Sequence, residues 1–507
     1  MKVLGIDVGT GGSRALLIDE DGQVVDSATC EHQPFASPEI GWAEQDPDDW
    51  GSATKAAIRK LLQQSGTSAE EIAAVGLTGQ MHGAVLLDES DKVLRPALIW
   101  CDQRTSEECQ YLNSRIGERR IIDLTCNPAL TNFTLTKLLW VRKHEPEIWR
   151  RFRSFLLPKD YVRMLLTGVR AIDVAEASGT LLLDVANRRW SKEMLDYAAL
   201  DERCLPKLSE SPEIVGNISA QGAADTGLQV GTPVVAGAGD QAAGAVGMGI
   251  VAPGAVSATI GTSGVVFAAT DHPALDPRGR VHTFCHAVPG SWHVMGVTQA
   301  AGLSLRWFRD QFGAGRDDGR DPYERLCDEA ALAPSGSDGV LWAPYLMGER
   351  TPHLDPAARA ALVGLNAKHG RSHIIRAILE GVTFSLRDTF TIFDEMKVPV
   401  REIRLGGGGA RASLWRQIQA DVYGQTVSTL RAEEGAAYGA AILAGVGAGM
   451  WTDVESACRE IVQINQRCEP NPANAKRMDE QYEIYRRIYP ALSQIAKATE
   501  KAEMKSV

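Results

Sequence analysis

Apolar positions along this chain follow two periods, one of strands and one of helices. Val3 to Val8 and Ala15 to Ile18 are short, largely aliphatic runs that predict paired strands, and Gly9-Thr10-Gly11-Gly12-Ser13 between them predicts a tight turn. From Asp49 to Gln64 the spacing changes, and Trp50, Ala57, Ile58, Leu61 and Leu62 fall on one stripe of a helix. Strand-like runs return at Ala73 to Thr78 and Ala84 to Leu87, on either side of Gly79-Gln80-Met81-His82-Gly83. Helical and mixed segments fill 105–210, and Thr232 to Ala236 then leads into Gly237-Ala238-Gly239-Asp240.

The second half repeats the first. After a turn at Pro253-Gly254, a second glycine-bearing turn, Thr259-Ile260-Gly261-Thr262-Ser263-Gly264, interrupts another apolar run. A helix over His373 to Glu395, a strand over Glu402 to Leu405, Gly406-Gly407-Gly408-Gly409 and an amphipathic stretch with Leu414, Ile418 and Val422 follow. Alternating strands and helices predict α/β layers with ligands at strand ends. The recurring turn predicts an internal duplication of roughly 250 residues, and hence two domains, 1–250 and 251–507.

Composition narrows the function. Of 507 residues, 44% are hydrophobic and 23% charged, and mean hydropathy is −0.15, which describes a chain able to bury large cores. A net charge of −11 lacks the positive surface that nucleic acid requires. No run of about 18 apolar residues predicts a membrane span. Nine cysteines without a Cys-x-x-Cys pair, and a start that runs at once into strand, predict reduced thiols and a cytoplasmic protein. A homodimer is compatible with the sequence but not dictated by it.

Two glycine-rich turns predict two backbone cradles for the phosphates of ATP, because turned chain directs several N–H groups at one point. The glycines are expected to supply positive φ, and the hydroxyls of Thr10, Ser13, Thr262 and Ser263 to add donors around Gly11 and Gly261. Asp7, inside an apolar strand, requires a cation, and magnesium held through water is the expected one. Asp240 opens a small-residue helix whose dipole favours an ionised, accepting carboxylate, and it is the expected acceptor of a hydroxyl proton in phosphoryl transfer. Gly406, Gly407, Gly408 and Gly409 allow close passage under adenosine and its α-phosphate, or form a plain strand-to-helix connection. Met81 and His82 offer polar contacts beside an apolar wall to a polyhydroxylated substrate. Trp100 is either a stacking wall or a core residue.

Taken in order, these segments resemble the FGGY carbohydrate kinases over essentially the whole length. The matching segments include Gly-Ile-Asp-Val-Gly-Thr from Gly5, Trp-Ala-Glu-Gln-Asp-Pro from Trp42, Leu-Leu-Pro-Lys-Asp-Tyr from Leu156, and Pro-Tyr-Leu-Met-Gly-Glu-Arg-Thr-Pro from Pro344. Phe133 to Trp140, with Lys137, and Gly364 to Glu380 resemble the two signature regions. The resemblance implies two ribonuclease-H-like domains of the actin and hexokinase superfamily closing on ATP, magnesium and a ketopentose. It implies phosphorylation of D-xylulose at its 5-hydroxyl, with Asp240 as proton acceptor and Met81 and His82 at the sugar. Glycerol kinases carry Arg-Glu in place of Met81-His82, whereas Gln241 and Arg14 are glycerol-kinase-like, Gln241 standing where xylulose-type members often have Asn. The rival expectations are a kinase of ribulose, glycerol or erythritol, and an actin-like or chaperone-type ATPase without a sugar substrate.

Overall fold

A computed structural model describes residues 1–313, 319–432 and 434–503. Two seven-stranded sheets take their strands from separate stretches of chain. The first contains β1 (Lys2–Val8), β2 (Gly12–Asp19), β3 (Val24–Glu31), β4 (Ile72–Gly79), β5 (Ile214–Asn217), β6 (Pro233–Val235) and β7 (Ala238–Gly239). The second contains β8 (Gly254–Ile260), β9 (Gly264–Thr270), β10 (His282–Cys285), β11 (Trp292–Thr298), β12 (Val400–Gly407), β13 (Val427–Leu430) and β14 (Ile464–Cys468).

The order β3-β2-β1-β4-β6-β5 in the first sheet is matched by β11-β9-β8-β12-β13-β14 in the second, with β7 and β10 as additions. In each sheet a hairpin is antiparallel, β1 with β2 and β8 with β9, and its first strand pairs in parallel with the next one across, β4 or β12. The duplication expected from the recurring turn is therefore present as topology.

Pleat alternation sorts β1 onto two faces. Leu4, Ile6 and Val8 point into one core with Trp50, Ile58 and Leu61 of α1 (Pro47–Ser65) and Tyr161 and Val162 of α2 (Pro158–Thr167). Asp46 caps α1 by accepting from Asp48 N, and Gly66 ends it in the left-handed conformation. Val3 points the other way, toward Ala437, Tyr438 and Ala441 of a helix from the far end of the chain.

That helix, Gly435–Gly447, crosses to the first sheet and packs against a short helix, Asp240–Gly247, from the other half. Numbered along the chain with Val174–Ser178 as α3, the pair is α4 (Asp240–Gly247) and α8 (Gly435–Gly447), and α5 (Gly302–Phe312), α6 (Arg371–Glu395) and α7 (Ser413–Tyr423) lie between. Small residues permit the approach. A Cβ on Gly439 would sit 1.8 Å from the Ala243 carbonyl oxygen, one on Gly5 2.0 Å from that of Ala437, and one on Gly76 2.1 Å from that of Ala440. The small-residue helix α8 is therefore one element that ties the two halves together. Among the described residues the nine cysteines are free thiols, and no helix is long and apolar enough to cross a membrane.

Candidate active site

A cleft of about 410 Å³ opens where α4 and α8 meet the second sheet, and Asp7, Asp240, Gln241, Gly406, Gly407 and Gly408 are among its walls. Strand parity brings Asp7 there. Its neighbours Ile6 and Val8 face α1, so its carboxyl emerges on the α8 side, across the hairpin from Arg14. Arg14 is itself ion-paired with Glu434, just ahead of α8.

Asp7 is half-buried, and its Oδ1 is shielded from solvent without a hydrogen-bond partner. Burial raises its pKa to about 6 against the opposing pull of Arg14. Asp240, first residue of α4, is pushed higher, to about 7, by burial and by the charge of Asp7, while Gln241 Nε2 donates to its Oδ1 at 3.4 Å. The helix N-terminus that favours the anion is visible in sequence, and desolvation by the surrounding chain opposes it.

Gly406 and Gly407 end β12 beside Thr259 and Ile260 of β8, which places the four-glycine run against the second turn. At Gly407, φ is 71° and a Cβ would lie 2.5 Å from the Ile260 carbonyl oxygen. Gly409 lies over the Ile260 side chain. The second turn is fixed from below, since Gly302 N and Leu303 N at the start of α5 donate to Gly261 O and Thr262 O. Gly261 and Thr262 are exposed and Ser263 half-buried, and all three lie outside the cleft lining, as do Thr10 and Gly11.

Neither turn uses its glycines as expected. Gly9, Gly11, Gly12, Gly261 and Gly264 all lack positive φ. At Gly12 and Gly264 close approach requires glycine, a Cβ lying 2.8 Å from Cys30 O and 2.6 Å from Thr298 Oγ1, whereas a Cβ on Gly11 would meet open space and one on Gly261 only ordinary contact at 3.6 Å. Ser13 also departs from expectation. As the β-partner of Val8 it faces α1, and its buried hydroxyl accepts from Thr54 Oγ1 at 2.8 Å and meets His32 Nε2 at 2.9 Å, away from the cleft. The Thr10 hydroxyl accepts from Trp100 Nε1 at 2.9 Å. Trp100 is 41% exposed, so it is no core residue.

His82 stands in a left-handed backbone conformation, φ 66°. Its ring is buried against Phe133 of the first half and Phe284 of the second, with Nδ1 2.8 Å from Gly179 O. Burial lowers its pKa to about 3, so the ring is neutral. Met81 packs beside Gly239, the residue before Asp240: a Cβ there would lie 2.8 Å from Met81 Cγ.

Family models for the N-terminal and C-terminal domains of the FGGY family of carbohydrate kinases match residues 2–247 and 256–448. The chain belongs to the FGGY family of carbohydrate kinases. It is 38% identical to the xylulose kinase of Bacillus subtilis over 96% of each chain. It is 39% identical to the xylulose kinase of Escherichia coli over 96% of this chain and 99% of that one. The solved structure of the xylulose kinase from Rhodospirillum rubrum superimposes with a TM-score of 0.90 at 30% identity, over 98% of this chain and 100% of that one. The two-domain α/β architecture of the FGGY carbohydrate kinases is thereby established for this chain.

In this FGGY kinase the strand that delivers Asp240 rests on a buried ionic block that composition and periodicity did not reveal. Lys159 Nζ lies 2.5 Å from Asp160 and 2.7 Å from Asp173, and Arg163 lies 3.0 Å from Asp160, all with fully buried side chains. Arg163 Nη1 also donates to Ala236 O at 2.5 Å, just before Gly237-Ala238-Gly239-Asp240. Glu176, on α3, is buried beneath Gly239, and burial holds its carboxyl well above the ordinary range. Lys137, in the first signature region, donates to His82 O at 2.9 Å and Asn132 O at 2.7 Å and so anchors the loop carrying Met81 and His82. The signal for Lys159 was the Leu-Leu-Pro-Lys-Asp-Tyr segment that carried the family resemblance.

Proposed function

We propose that this protein catalyses transfer of the γ-phosphoryl group of ATP to the 5-hydroxyl of D-xylulose. The observation that carries the reading is that Asp7 and Asp240 line the same cleft as the glycine run Gly406–Gly408. Support for the substrate comes from similarity to xylulose kinases along nearly the entire chain.

Asp240 is the base. The sugar hydroxyl gives its proton to the ionised Asp240 carboxylate as its oxygen bonds to the γ-phosphorus, and the bond to the β-phosphate oxygen breaks to release ADP. A carboxyl poised near pH 7 combines usable basicity with a substantial ionised fraction. Met81, His82, Trp100 and Gln241 line the sugar side. The backbone of Thr10, Gly11 and Gly261-Thr262-Ser263 receives the phosphates, and Gly406–Gly409 passes under the adenosine.

The partnerless, buried Oδ1 of Asp7 fits a hydrated divalent cation. Asp7 would hold magnesium through water, and the ion supplies charge neutralisation to the phosphates. The lobes 1–250 and 251–507 close about the α4–α8 pair to bring the two turns together and keep water from the phosphoryl group. The protein works in the cytoplasm on small molecules.

A coupled ADP-release assay across D-xylulose, D-ribulose, glycerol and erythritol tests this reading. D-Xylulose should give the highest kcat/KM. A higher value for glycerol would overturn the substrate assignment, and sugar-independent ATP hydrolysis would overturn the reaction.

A further inference from the structure

Behind the first phosphate turn, three residues close a ring of hydrogen bonds. Gln45 Nε2 donates to Thr10 O at 2.8 Å, Gln80 Nε2 donates to Gln45 Oε1 at 3.0 Å, and the Thr10 hydroxyl donates to Gln80 Oε1 at 3.3 Å. Two indoles feed it, Trp50 Nε1 to Gln45 Oε1 at 3.2 Å and Trp100 Nε1 to Thr10 Oγ1 at 2.9 Å.

The polarity of this ring is dictated by its inputs. An indole can only donate. Trp50 therefore fixes the oxygen of Gln45 toward itself, which turns the Gln45 amide nitrogen to the Thr10 carbonyl. The oxygen of Gln45 then selects the nitrogen of Gln80, leaving the Gln80 oxygen for Thr10. Because Thr10 Oγ1 already accepts from Trp100, its own proton goes to Gln80. No member can reverse without stranding a buried donor or acceptor, and Gln45, Gln80 and Trp50 are all buried.

The ring joins three parts of the site. Thr10 belongs to the phosphate turn, Gln80 immediately precedes Met81 and His82, and Trp100 is the exposed wall. The Gln45 segment is strapped to the Trp100 segment, since Glu44 and Gln45 pair with Leu98 and Ala97. A ligand pressing on Trp100 or Met81 thus bears on Thr10 through unbroken hydrogen bonds.

We infer that Gln45 and Gln80 are positioning residues that couple occupancy of the sugar wall at Met81 and Trp100 to the geometry of the phosphate turn, making sugar and nucleotide bind cooperatively. This rests on the reading of Met81 and Trp100 as the sugar side.

Calorimetric titration of magnesium AMP-PNP, with and without saturating D-xylulose, measures the coupling. In the wild type, D-xylulose should tighten the nucleotide. Gln45→Met and Gln80→Met should leave each ligand's affinity alone within about twofold and reduce the coupling factor about fivefold, the worth of one net hydrogen bond. The double variant should lose no more than either single one, because opening a ring once suffices. Thr10→Val, at the half-buried junction, should lose the coupling and Thr10→Ser retain it, which keeps the test decisive should a buried glutamine variant fold poorly. Coupling unchanged in these variants, or absent in the wild type, would overturn the inference. A wild type that binds no D-xylulose refutes the substrate reading instead, and the coupling is then measured with whichever sugar supports turnover.

Discussion

Adding one methyl group where α4 crosses α8 tests the packing that joins the two halves. In Gly439→Ala the new Cβ would lie 1.8 Å from Ala243 O, 2.7 Å from Ala243 C and 2.9 Å from Gly247 N, far inside the 3.4 Å of ordinary contact. All three atoms are backbone, so no rotamer change relieves the clash and the helices must part. Overpacking of this kind costs about 1–3 kcal/mol and sometimes more, and the better helix propensity of alanine returns about 1 kcal/mol. At the upper end of that range the net loss is about 2 kcal/mol, a fall in Tm of about 4–8 °C on the scale for domains of 150–250 residues. Gly244→Ala is the control: it lies in α4, has open space at its Cβ, and should hold or raise Tm. Thermal unfolding of both variants by circular dichroism at matched scan rate gives the comparison. A Gly439→Ala protein that melts at or above the wild type would refute the close crossing.

Three other outcomes follow from the same geometry. Lys159→Met leaves Asp173 buried without its cation and Asp160 with Arg163 alone and should cost about 3–5 kcal/mol, seen as a collapse in Tm, whereas Arg120→Ala at the exposed pair with Glu193 should cost no more than about 1 kcal/mol. Asp7→Asn removes the carboxylate and should raise the magnesium concentration for half-maximal turnover at least about tenfold; an unchanged magnesium titration would remove Asp7 from that role. Burial raises the pKa of Asp388 from 3.8 to about 7, so the folded state holds a proton that the unfolded chain gives up; the resulting stabilisation is complete below pH 3.8 and is lost as pH rises through about 7. Asp388→Asn should therefore gain in Tm relative to the wild type between pH 5 and pH 8, on the order of degrees, and a parallel pair of Tm curves would refute this.

Much of the fold was legible because local pattern and tertiary role coincide. The run Val3 to Val8 became β1, the Trp50 stripe became the buried face of α1, and the glycine-bearing turns became the tips of equivalent hairpins. Where the reading of the residues failed, the cause was long-range. Gly12 and Gly264 answer to Cys30 and Thr298, neighbours that sequence separation hides, rather than to backbone twist. The small residues from Gly435 to Ala441 suit close packing, and the surface they pack on is the sheet of the opposite half, which lies far away in sequence. The orientation of Ser13 was within reach, since counting parity across the hairpin from Asp7 and Arg14 turns it toward α1. The raised pKa of Asp240 was not, because desolvation is a property of the surroundings and leaves no mark on neighbouring residues.

The account stands on Asp240 as acceptor of the sugar proton. Steady-state turnover of Asp240→Asn with ATP and D-xylulose, read beside calorimetric D-xylulose binding, addresses it most directly. General-base removal predicts a kcat lowered about 10²–10⁴-fold while the sugar still binds. A kcat within about threefold of the wild type, in a variant that binds D-xylulose normally, contradicts it.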